Sequence, residues 1–124
     1  MLAAARGYRE AELAAATGLL EMAVEWASMH EPTQAGVPAA TWWEAGRSIS
    51  IAGAGAPLIA EYAVAEFAAA VGMSTDQGRS LIGHGLDLAY RLPNTWDLLH
   101  EGKVPAWRAR RFADLGPDPG SWTR

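Results

Sequence analysis

Cysteine is absent from the 124 residues, and lysine and asparagine occur once each. Without cysteine there is no disulfide framework and no thiolate-bound zinc, as expected of a protein from the reducing cytoplasm. No window of eighteen apolar residues is free of charge, and the first residues show no basic segment leading into an apolar run. Neither a membrane span nor a signal peptide is expected, so no membrane partner is either. Catalytic signatures are equally scarce. There is no GxSxG, no Walker loop, no dinucleotide fingerprint and no HxxxH or HExxH pair. His30, His84 and His100 are scattered and read as packed or exposed side chains rather than metal ligands. No cofactor is implied, and no catalytic residue is assigned.

What the chain does have is alanine, 26 residues of it, and six tryptophans. Alanine is the best helix former but buries little area. The expectation is an all-α domain of four or five helices with a thin core, spanning residues 1–115, with a frayed tail over 116–124. The net charge of −4 is uneven. Residues 1–66 carry three Arg and eight Glu for −5, and residues 67–124 carry seven basic and six acidic residues for +1. Any basic surface is therefore local. Nine of the ten basic residues are Arg, a bias that reads as GC-rich coding rather than selection for phosphate binding.

Apolar spacing predicts the helices. Residues 3–30 form the first, with Leu13, Thr17, Leu20, Val24 and Ala27 on one stripe and Pro32 ending it. Residues 31–55, interrupted by Pro32, Gly36, Pro38, Gly46, Gly53 and Gly55, read as an irregular linker with a short helix near 40–45. "SISIAG" alternates like a strand but has no evident partner. Pro57 suits a first helical position, opening a helix to Val71 with Ala60, Val64, Phe67 and Val71 inward. Gly72 closes it, and Ser74 with Gln77 forms a capping box for a helix to about Tyr90, whose stripe is Leu81, Ile82, Gly85, Leu86, Ala89 and Leu92. Pro93 stops that helix. Asn94 or Thr95 caps a short one holding Trp96, Leu98 and Leu99, Gly102 ends it, and Pro105 starts the last helix, to about Leu115.

Two segments are candidate nucleic-acid contacts. "EFAAAVGMSTDQGRSLI", residues 66–82, is helix-turn-helix-like: small Ala68, turn Gly72, capping Ser74 and inward Leu81. It departs from that pattern at Gly78, where an aliphatic side chain is usual. Its second helix offers Arg79 and Arg91, offset by Asp76 and Asp87. The alternative is an ordinary helical corner. The second segment carries Lys103, Trp107, Arg108, Arg110 and Arg111, with Trp107 at helical spacing from Arg110 and Arg111. That set is either a stacking and phosphate platform or a tryptophan shielded by arginine stems.

The stretch "VAEFAAAVGMSTDQGRSLIGHGLDLAYRLPNTWDLLHEGKVPAWRAR" resembles the helical N-terminal domain of the actinobacterial 13E12-repeat proteins, catalogued as domain of unknown function 222. The resemblance covers roughly residues 10–113. It rests on Glu61 and Glu66 in an alanine-rich helix, "RLP" at 91–93, "LLHEGKV" at 98–104 and Ala109. Many members of that family carry an HNH endonuclease module after this domain. Such a module needs metal-binding and general-base histidines with an asparagine on a ββα finger. Only Asn94 is available here, at a helix start. The resemblance thus implies a truncated copy without the nuclease, non-catalytic by itself, with weak DNA binding as the first expectation. The alternative is a protein-interaction or dimerisation module. Its partner would be a second copy or the missing C-terminal region, because Trp42, Trp43, Trp96 and Trp107 are more aromatic surface than a thin bundle easily covers.

Overall fold

A computed structural model describes residues 1–30, 48–49 and 59–115. Among them the protein is an all-α bundle of five helices, with one two-residue antiparallel ladder. The helices are α1 (Leu2–Met29), α2 (Glu61–Val71), α3 (Thr75–Arg91), α4 (Pro93–His100) and α5 (Ala106–Asp114). The ladder pairs β1 (Ser48–Ile49) with β2 (Ile59–Ala60), Ser48 opposite Ala60 and Ile49 opposite Ile59. The expected short helix near 40–45, Trp42, Trp43 and the tail 116–124 lie outside the described residues. No helix among the described residues is long and apolar enough to cross a membrane.

The centre of the bundle is α3, which packs against all four other helices. Its composition makes this feasible. Leu81, Ile82, Leu86 and Leu88 supply apolar bulk, while Gly78, Gly83 and Gly85 are buried with them. At Gly85 an added β-carbon would lie 2.7 Å from the Val24 Cγ2 and 3.4 Å from the Leu20 carbonyl oxygen, so α1 crosses α3 at close range there. Leu20, Ala23 and Ala27 of α1 face this contact as buried residues, with Leu13, Thr17 and Val24 half-buried, as the stripe predicts. Trp26 ties α1 to α2: its indole N–H donates to the Ala63 carbonyl at 2.9 Å, and its ring meets Phe67.

The start of α2 corrects one expectation. The helix begins at Glu61, not near Pro57, because Ile59 and Ala60 are taken into the ladder and Ile59 is fully buried. β-branched Ile49 and Ile59 suit the extended backbone, and residues 48–49 thereby leave the irregular linker. The inward face of α2 shifts accordingly to Ala63, Val64, Phe67 and Ala68, with Val71 exposed. Gly72 adopts φ +75°, which an L side chain rarely takes, and Met73 N–H reaches the Ala68 carbonyl at 2.9 Å. The capping box forms in full: Gln77 N–H donates to Ser74 Oγ at 3.1 Å, and Ser74 N–H donates to Gln77 Oε1 at 3.0 Å.

The break between α3 and α4 is a single residue. Leu92 has φ −128° and ψ 57°, a conformation away from αR that the following proline favours. Pro93 is itself the first residue of α4, where its missing N–H is no loss, so Leu92 rather than Asn94 or Thr95 is the flanking residue. Gly102, at φ +75°, ends the α4 turn, with Lys103 N–H on the Leu98 carbonyl at 2.9 Å.

Candidate nucleic-acid interface

Pro105 flanks α5 in an extended conformation and sets its direction. Ala106, Ala109 and Ala113, at i, i+3 and i+7, are buried, so this helix lies close against the bundle on a seam of methyl groups. Such a seam leaves the large side chains on the outer side. Trp107, Arg108 and Arg111 are exposed there, and Trp107 keeps 52% of its surface in solvent. With Phe112, Asp114 and Leu115 they line an open groove of about 560 Å³. Neither Arg108 nor Arg111 has an ion pair or hydrogen-bonding side chain among the described residues.

Arg110 is turned the other way. Its Nε–H donates to His84 Nδ1 at 2.9 Å, and its Nη2 reaches Ser80 Oγ at 3.4 Å. His84 Nε2 in turn contacts Asp114 Oδ1 at 2.5 Å. Since an arginine N–H can only donate, Nδ1 accepts and the ring proton sits on Nε2, pointing at the carboxylate. Both ring nitrogens are thus engaged, and the single acceptor lone pair, on Nδ1, is taken up by Arg110 rather than open to a substrate proton. The cluster joins α3 to α5. Sequence reasoning missed it because its partners lie 26 and 30 residues apart. The legible trace is that Ser80 and His84, like Arg110 and Asp114, are each spaced i, i+4 on one helix face.

The remaining expected contacts do not gather around α5's outer arginines. Arg91 pairs with Asp87 at 2.9 Å, with only 15% and 13% of the two side chains exposed. Arg79 pairs with Asp76 at 3.0 Å, and Lys103 with Glu101 at 3.2 Å. A recognition helix needs a long free face, whereas most of α3 beyond Ser80 is covered by its neighbours, with Tyr90 half-exposed near its end. The histidines stay apart in role. His30 stacks on Trp26 with ring centroids 3.9 Å apart, and His100 lies against Trp96 at 4.6 Å. No group of three His, Asp or Glu side chains among the described residues is placed to hold a metal ion.

No family model, no curated protein and no solved structure matches this chain.

Proposed function

We propose that the chain is a non-catalytic helical domain of the kind found in 13E12-repeat proteins, and that it holds DNA phosphates weakly on the outer face of α5. One observation carries this reading: Arg108 and Arg111 are exposed, and among the described residues unpaired, beside the open ring of Trp107. Guanidinium groups without a carboxylate partner are free to meet phosphate oxygens, and an exposed indole offers a surface for an unpaired base or a sugar. Binding is weak because the rest of a protein at −4 repels DNA. The supporting resemblance runs through the α3–α4 break at "RLP" and the glycine turn of "LLHEGKV", both of which are packing and turn residues.

Titration into labelled duplex DNA at several salt concentrations tests the proposal. With Arg108 and Arg111 on the DNA backbone, log affinity should fall with log salt at a slope of about −2. Replacing Arg108 and Arg111 by Ala should reduce that slope by about 2. Absence of binding at low salt, or an unchanged slope in the double variant, refutes it.

A further inference from the structure

Between α1, α3 and α5 lies a further cleft, of about 450 Å³, a size typical of small-molecule sites. Its floor is buried apolar surface: Leu20 of α1, Leu81 of α3 and Ala106 of α5. Leu19, Met73 and Trp107 stand around it, and Leu19 and Trp107 keep 39% and 52% of their surfaces in solvent. One edge is polar. Gln77, Ser80 and Arg110 line it together, and no carboxylate among the described residues does. In a chain of net charge −4, this cleft thus sets one cation over an apolar floor with no acid in its lining.

The donors on this edge are positioned but unused. The planar Arg110 guanidinium is held through Nε on His84 Nδ1 at 2.9 Å, so its orientation is set before anything binds. Nη2 reaches only Ser80 Oγ, at 3.4 Å, and Nη1 has no partner among the described residues. Ser80 accepts there, which leaves its own hydroxyl hydrogen to donate. Gln77 uses Oε1 on the Ser74 N–H, and its NH2 group has no acceptor among the described residues. Together Nη1 and Nη2 form the end-on fork that a carboxylate meets with both oxygens. We infer that this cleft binds an aliphatic monocarboxylate, with its carboxylate on Arg110 and Ser80 and its alkyl chain over Leu19, Leu20 and Leu81. One guanidinium balances one negative charge, whereas a phosphate dianion would keep an uncompensated charge against an apolar floor. The flexible thioether of Met73 adapts to the chain. The site makes no use of Arg108 or Arg111, and it stands or falls separately from DNA binding.

Titration of the full chain with decanoate, followed by calorimetry and by backbone amide shifts, tests the site. Binding should saturate at one decanoate per chain, with shifts centred on Leu19, Met73, Ser80 and Arg110. Decanol has the same chain without the charge and should bind at least about tenfold more weakly, the share of a hydrogen bond to a charged group. Arg110→Met should weaken decanoate binding by a similar factor. Because Arg110 also ties α3 to α5, Leu19→Glu serves as a second variant. Leu19 is partly exposed and outside the His84 cluster, and a glutamate there sets a carboxylate in the cleft. It should weaken decanoate binding at least about tenfold, with the circular dichroism still helical. Failure of decanoate to saturate overturns the inference. So does decanol binding as tight as decanoate, or undiminished binding by Leu19→Glu. Shifts centred on Arg108 and Arg111 overturn it too, since they would place the anion in the outer groove of α5.

Discussion

A β-carbon built on Gly78 would lie 2.6 Å from the Ala68 β-carbon and 3.3 Å from its α-carbon, a separation that no pair of real side chains keeps. This contact sets how closely α2 and α3 cross. It also accounts for the departure of residues 66–82 from the usual helix-turn-helix pattern: with this spacing there is no room for an aliphatic side chain at position 78.

Gly78→Ala is therefore expected to destabilise the fold. The substitution gains about 1 kcal/mol of helix propensity, but the obstacle is a β-carbon fixed to the opposing backbone, and overpacking costs about 1–3 kcal/mol. Urea denaturation should show a net loss, and Ala68→Gly in the Gly78→Ala background should recover part of it. Gly18→Ala meets nothing within 4 Å and should instead stabilise, by about 0.5–1 kcal/mol. Equal effects of the two substitutions would mean that the close crossing is not real.

His84→Ala should loosen the last helix. It removes the acceptor for Arg110 and the donor to Asp114, two links between α3 and α5. At about 1 kcal/mol per hydrogen bond, less where Asp114 is exposed, the loss should be about 1–2 kcal/mol. Amide hydrogen exchange should accelerate in Ala106–Asp114 more than in α2. Uniform acceleration across the chain would show that the cluster does not act locally.

Arg79→Ala and Arg91→Ala should leave the salt dependence of DNA binding unchanged, in contrast to Arg108→Ala and Arg111→Ala. The first two guanidiniums are held by Asp76 and Asp87 within α3. Arg91→Ala should cost stability instead, because it removes the cation beside a largely buried Asp87. A drop in salt slope for Arg91→Ala would return α3 to the interface.

Most of the helical frame was legible because its boundaries are local chemistry. Ser74 with Gln77, Gly72, Pro93 and Gly102 each act within one turn of chain, and each ends or begins a helix where its type predicts. The ladder of Ile49 with Ile59 was legible on one side only: "SISIAG" alternates like a strand, but its partner lies ten residues on, at the start of a segment that reads as helix. The basic set was legible only as a list. Seven candidate residues share one sign or one ring, but the pairing of Arg79, Arg91 and Lys103 with carboxylates and the turning of Arg110 toward His84 depend on rotamers and on contacts between helices. The enclosure of α3 is likewise a tertiary property: its apolar stripe predicted one buried face, and its three glycines admitted neighbours on the others.

The docking of α1 onto α3 has a kinetic consequence. Helices α2 to α5 touch partners that follow closely in the chain, so their contacts close short loops and form early. Leu20 and Val24, by contrast, meet Gly85 across some sixty intervening residues, and the entropy of closing that loop is spent before the contact returns anything. The rate-limiting ensemble should therefore hold Ala68 against residue 78 while α1 is still undocked. Truncating Leu20 should speed unfolding and leave the folding rate nearly unchanged, while truncating Val64 or Leu81 should slow folding.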